Sequence, residues 1–334
     1  ASYQEHVGLW VDQATWARAG LAACEHLGDR AGVADMHLLL GNALCHLPAE
    51  GDEEPIEQAI EHYKTALELH ITGAAPHIGA AANLNLGNAY CDLPTGERGA
   101  NLQQAIDCYG AALRTCESRT SPQAYAMVQN NLGVAYLELG LAGHREQLQH
   151  AVTCFEEALR YRPAASAPLD YAVTENNLGT AYLGLAQTGD AESSRRAVTH
   201  LERALEIWTP GLTPRNYAIA VSNLGIAYSM LDTGNAAQNL QDAITCHEEA
   251  LRYLDPHTDP LQYAKTLSNL GIAYKAQGEP RKAQALHAEL FDLMKGLFLE
   301  TNPIGVKEAM TMMGLLNGEI RLPLCRMSAA NAAS

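Results

Sequence analysis

The strongest constraint in this chain is a phrase that returns every 46 residues. Asn-Leu-Gly-x-Ala-Tyr stands at NLGNAY (85–90), NLGVAY (131–136), NLGTAY (177–182), NLGIAY (223–228) and NLGIAY (269–274), with a degraded copy, LLGNAL, at 39–44. Its glycines are Gly41, Gly87, Gly133, Gly179, Gly225 and Gly271. A fixed period of about 20–50 residues marks a stacked array, in which each unit buries its apolar face only against its neighbours. Six copies in 334 residues predict one elongated array rather than separate globular domains.

Each unit reads as two helices. Leu132, Ala135 and Tyr136 share one helical stripe with Gly133. Glycine inside a helix costs about 1 kcal/mol relative to alanine. Glycines kept in register therefore predict close approach of a second helix. That helix B starts its own pattern 18 residues on, with Ala59, Ala105, Ala151, Ala197 and Ala243. Seven residues later stand Ala66, Ala112, Ala158, Ala204 and Ala250, and between them Tyr63, Tyr109, Phe155, Leu201 and His247. This face is expected to fit against the glycine. Pro76, Pro122, Pro168, Pro214 and Pro260 keep the same period and predict the start of helix A, with Ser121, Thr213 and Asp259 as capping residues. Residues 9–28 predict one more helix, the remnant or cap of an earlier unit.

In the order Leu132, Gly133, Tyr136, Ala151, Phe155, Ala158, the unit resembles the tetratricopeptide repeat. That family's unit is about 34 residues long, and longer interhelix connections extend it here. The resemblance covers about 33–278 and is similar to long arrays attached to bacterial signalling and protease-linked proteins. It implies an all-α, right-handed superhelical solenoid of about six helix-turn-helix units. It also implies a concave groove, lined by the A helices, that binds a protein or peptide. The expected domains are an N-terminal helix or partial repeat at 1–32, the solenoid at 33–278 and a helical tail or cap at 279–334.

After Gly271 the rhythm breaks: the next small residue of helix B, Ala283, follows 12 residues later instead of 18. Asn302, Pro303, Ile304, Val306 and Lys307, then Gly314, Leu315, Gly318, Arg321, Leu322, Pro323 and Leu324, resemble the C-terminal end of the dihydrodipicolinate synthase family over about 279–328. Gly305 and Arg326 depart from it where the family carries proline. The Schiff-base lysine, catalytic tyrosine and Thr-Thr pyruvate loop of that family belong to its barrel. Residues 1–278 do not read as eight alternating strands and helices. The expectation is a non-enzyme whose tail caps the array. A docking surface for a barrel enzyme, or a fusion remnant, stays open as an alternative.

Composition narrows the partners. A formal charge of −16 argues against a nucleic-acid backbone and against an anionic membrane surface. No apolar run approaches the ~20 residues of a membrane span, and no signal peptide stands out, so a cytoplasmic setting is expected. Eight cysteines lack CxxC spacing, and Cys108, Cys154 and Cys246 share one register, as core thiols do. Thirteen scattered histidines form no HExxH and no paired cluster, so neither metal nor cofactor is expected. Glu156-Glu157 and Glu248-Glu249 diverge around a helix and read as a solvated face. Phosphate-binding loops and GxSxG are not found.

The candidate site is the stripe of helix A at positions −6, −2, +1 and +5 from the repeat glycine. Position −2 holds Asn85, Asn131, Asn177, Asn223 and Asn269. An asparagine amide both donates and accepts, so this ladder would grip an extended peptide by its backbone. The alternative is that each asparagine bridges neighbouring helices of the stack. The first repeats add the polar Asp35, Asn42, His46, Asn88 and Asp92, and later repeats the apolar Met127, Val134, Val173, Ile219, Ile226, Met230 and Ile272. Apolar residues facing a groove suggest a partner's side chains, or tight burial between A helices. Lys265 and Lys275 sit near the last repeat, where they could meet a carboxylate; plain solvated lysines are the alternative. The function expected is a peptide-binding scaffold or sensor module. A lyase-linked role, or a sensor array of a larger NTPase or protease-linked protein, is the alternative.

Overall fold

A computed structural model of the chain describes residues 3–48, 55–73, 75–116, 118, 120–187, 190–232 and 234–299. The synthase-like residues from Asn302 onward lie outside the described residues. Every regular element among the described residues is helical. The chain divides into two compact units, Ala1–Ile207 and Trp208–Ser334. Unit 1 holds α1 (Tyr3–Leu27), α2 (Arg30–Leu44), α3 (Pro55–Ile71), α4 (Gly79–Asp92), α5 (Arg98–Thr115), α6 (Pro122–Leu141), α7 (Glu146–Leu159), α8 (Pro168–Ala186) and α9 (Ala191–Ile207). Unit 2 holds α10 (Pro214–Ser229), α11 (Ala236–Leu251), α12 (Pro260–Gln277) and α13 (Pro280–Leu299). Within each unit every helix packs on the next in sequence, and the A helices also touch: α4 on α6, α6 on α8, and α10 on α12. This is the helical repeat array that the period predicts.

The glycine register works as the sequence suggests. A Cβ placed on Gly41, Gly87 or Gly133 would come 2.6 Å from a ring carbon of Tyr63, Tyr109 or Phe155. On Gly179 it would come 2.7 Å from Cγ of Leu201, and on Gly225 2.8 Å from Cε1 of His247. Those distances leave no room for a side chain, so glycine is what lets helix A meet helix B. The flanking Ala59, Ala66, Ala105, Ala112, Ala151 and Ala158 are fully buried at the same contacts.

The prolines also act as expected. Pro122, Pro168, Pro214 and Pro260 are the first residues of α6, α8, α10 and α12, and Pro76 opens a 3-10 turn (Pro76–Ile78) that leads into α4. The expected side-chain caps do not form. Ser121, Thr213 and Asp259 make no capping hydrogen bond, because ψ of 51–62° turns each side chain away from the first amides. Thr213 Oγ1 is buried without a partner among the described residues, and Asp259 instead accepts from Arg215 at 2.6 Å. The helix start therefore rests on proline, whose fixed φ and missing N–H suit the first position.

The last helix pair is built differently. Gly278, at φ +87°, ends α12 in the left-handed conformation, and Glu279 N–H returns to Tyr274 O at 2.9 Å. Pro280 opens α13 immediately afterwards, so the turn is two residues long. This tight reversal is the physical form of the shortened period.

Candidate functional site

In unit 1 the asparagine ladder is cross-linked along the stack. Asn85 donates from Nδ2 to Oδ1 of Asn42 at 2.7 Å, and Asn131 to Oδ1 of Asn88 at 2.9 Å. Each acceptor lies on the preceding A helix, at position +1. The same two oxygens receive the hydroxyls of Tyr63 and Tyr109, both at 2.8 Å. Each bridge thus ties two A helices to the ring that fills the glycine contact. Where position +1 becomes Val134, the bridge shifts: Asn177 reaches Oδ1 of Asn130 at 3.4 Å. Met127 is 40% exposed beside this ladder, whereas Val134 and Val173 are half-buried.

In unit 2 the pattern changes. The register partner of Asn269 on the preceding A helix is Ile226, which has no acceptor to offer. A cleft of about 190 Å³ opens between α10 and α12 at this point, lined by Asn223 and Ile226 on one side and by Gln262, Lys265 and Asn269 on the other. Ser222 Oγ and Thr266 Oγ1, both buried and 3.0 Å apart, hold the two helices together beneath it. Ile219 and Met230 are half-buried on α10 and its end. A second cleft of about 360 Å³ lies between α12 and α13, lined among others by Gly271, Ile272, Lys275, Ala283 and His287. Ile272 is 65% exposed there. The stripe residues of α12 thus border both clefts.

The structure also brings together residues that the sequence reading left apart. His37 and His62 place their Nδ1 atoms 2.8 Å from one another, a pair that the scattered histidines did not suggest. Burial is the main cause that lowers both pKa values. Glu175, 2% exposed, meets His200 Nδ1 at 2.5 Å, and His200 stacks on Tyr182. Both pairs occupy the same two positions of the repeat, −4 on helix A and +21 on helix B. Alignment of the units would have exposed them. In other units +21 is Cys108, Cys154 or Cys246, and burial pushes these thiols up to about 11, 12 and 12. His247 is driven the other way, down to about 4, by burial against the Gly225 contact. Glu156 and Glu157 diverge as expected: Tyr182 donates to the first and Tyr125 to the second. Among the described residues no group of three or more metal-ligating side chains converges.

Two kinds of similarity bear on the chain. The dihydrodipicolinate synthetase family matches residues 262–333, of which 262–299 fall in α12, the turn and α13. The 4-hydroxy-tetrahydrodipicolinate synthase of Methanocaldococcus jannaschii is 58% identical over 52 residues, 16% of this chain and 18% of that protein. The synthase of Methanococcus vannielii is 53% identical over 55 residues, 16% of this chain and 19% of that protein. The chain thus spans about a fifth of the length of the curated relatives it matches. Among solved structures, MamA aligns with 67% of this chain and 96% of its own at 16% identity and a TM-score of 0.42. BtubC from P. vanneervenii aligns with 91% and 94% at 19% identity and a TM-score of 0.40.

Proposed function

We propose that this array is a protein-interaction scaffold or sensor module, and that its peptide-binding face is the α10–α12 surface of unit 2. One observation carries the reading: Asn269 lines an open cleft opposite Ile226, whereas Asn85, Asn131 and Asn177 spend their amide donors on neighbouring helices. Asn269 offers a donor and an acceptor to a peptide backbone, Ile226 offers an apolar wall, and Lys265 adds positive charge to the cleft lining. The polar, cross-linked helices of unit 1 then serve as a rigid frame. A charge of −16 directs this module to protein partners rather than to nucleic acid. No described helix is long and apolar enough to cross a membrane, which suits work in the cytoplasm. The test is calorimetric titration of acidic pentapeptides into the wild type, Asn269→Ala and Ile226→Glu, with melting temperatures taken on the same samples.

The synthase-like end favours a second reading, in which residues 262–333 dock the array onto a barrel synthase. Co-elution of the full chain with a purified 4-hydroxy-tetrahydrodipicolinate synthase supports it, and independent elution at micromolar concentrations removes it.

A further inference from the structure

Five of the six repeat glycines are each covered by one side chain of the following helix, from Tyr63, Tyr109, Phe155, Leu201 or His247. The sixth is not. The nearest atom to a Cβ on Gly271 is the carbonyl oxygen of Ala283, at 4.0 Å. The position that would carry the covering side chain, four residues after Ala283, is His287, which is exposed and lines the rim of the cleft. Seven residues after Ala283, where the earlier B helices carry alanine, stands the buried Leu290, packed on Leu267 and Ala264. A larger residue thus stands where the earlier B helices carry alanine, and the two-residue turn sets the register of α13. Both features belong to the stretch that matches the synthase family, so α13 stands as helix B without the array's own side-chain order.

We infer that the vacant place beside Gly271 is a slot for one aromatic side chain of a partner peptide rich in carboxylates; this rests on the groove reading above and extends it along α12. The occupant's size follows from the sister contacts, three of which hold a Tyr or Phe ring. Its charge follows from the lysines. The chain has six, and three of them, Lys265, Lys275 and Lys282, stand on α12 and in the first turn of α13. Lys275 lines the slot itself, and Lys282 lies over the ring of Tyr274, 4.8 Å from its centre. Along α12, the turn and the first turns of α13, Lys265, Lys275, Arg281 and Lys282 outnumber the acids Glu279 and Glu289, and at physiological salt exposed charges more than about 8 Å away are largely screened. Residues 300–334 contain no Phe, Tyr or Trp, so that stretch offers the slot no ring.

The probes are two acetylated, amidated pentapeptides, Asp-Asp-Phe-Asp-Asp and Asp-Asp-Ala-Asp-Asp, titrated calorimetrically into the full chain. The Phe peptide is expected to bind at least about tenfold more tightly, the least that burying a Phe side chain is worth. Gly271→Leu, which fills the slot from α12, abolishes that preference and does not lower the melting temperature. Ala283→Leu fills it from α13 with the same result, and Lys275→Glu weakens both peptides. Equal affinity of the two peptides overturns the slot, as does a fall in melting temperature with Gly271→Leu, which would mean the chain fills the place itself. If the peptides bind equally but Ile226→Glu weakens both, the slot fails and the groove stands. If Gly271→Leu removes the preference while Ile226→Glu changes nothing, the slot stands and the groove fails. No binding by the wild type overturns both.

Discussion

Asn131 donates its amide to Oδ1 of Asn88 at 2.9 Å, and Tyr109 donates its hydroxyl to the same oxygen at 2.8 Å. One acceptor therefore holds two A helices and the ring between helices A and B. Asn88→Val removes that acceptor from the buried Tyr109 and the half-buried Asn131. It is expected to destabilise unit 1 by about 1–3 kcal/mol, the cost of stranding such groups. Urea titration checks this, and an unchanged midpoint would mean that the bridges do not contribute to the stack.

Gly179→Leu places its Cβ within 2.7 Å of Leu201 Cγ and within 3.4 Å of the Ala197 carbonyl. Backbone cannot move aside as a flexible side chain can. The substitution should cost about 1–3 kcal/mol or more and broaden the thermal transition, because neighbouring repeats share their stability. Differential scanning calorimetry provides the comparison. A sharp, unshifted transition contradicts the contact.

Much of this architecture is legible in the sequence because it is written six times. The glycines, the covering residues from Tyr63 to His247 and the helix-starting prolines all keep one register, so each copy supports the reading of the others. What escaped has a different character. The fate of each asparagine depends on position +1 of the preceding unit, where Asn42, Asn88, Val134 and Ile226 differ. The pairs His37–His62 and Glu175–His200 join residues 25 apart in sequence, a spacing that acquires meaning only once helices A and B are aligned. The failed caps at Ser121, Thr213 and Asp259 depend on a ψ value that composition does not encode. The uncovered Gly271 goes with the broken period, which puts the exposed His287 four residues after Ala283.

His247 is 1% exposed, and burial lowers its pKa from 6.5 to about 4. The unfolded chain therefore takes up a proton near pH 6.5, which the folded chain refuses until about pH 4. Stability from this group is complete above pH 6.5 and is lost as pH falls towards 4. The loss is on the order of 3 kcal/mol. His247→Leu, which copies Leu201 of the preceding unit, should flatten the acid limb of the stability profile. Urea titrations at several pH values test it, and parallel profiles for wild type and variant would contradict it.

The synthase-like segment covers about a fifth of the curated synthases. Incubation with pyruvate and borohydride is accordingly expected to leave every lysine unmodified by intact-mass measurement. A stoichiometric pyruvyl adduct on one lysine would overturn the scaffold reading in favour of Schiff-base chemistry.

The most direct test of the account compares Asn131→Ala with Asn269→Ala, measuring melting temperature and affinity for the Asp-Asp-Phe-Asp-Asp peptide on the same samples. The two residues occupy one position of the repeat, yet one is tied to Asn88 and the other lines an open cleft. The account predicts that Asn131→Ala lowers the melting temperature and leaves affinity unchanged in the folded protein. It predicts that Asn269→Ala keeps the melting temperature and weakens binding by about 0.5–1.5 kcal/mol, the worth of one hydrogen bond. If Asn269→Ala melts early and binds as the wild type does, the asparagine ladder is a stacking device throughout, and the peptide-binding face is not where the account places it.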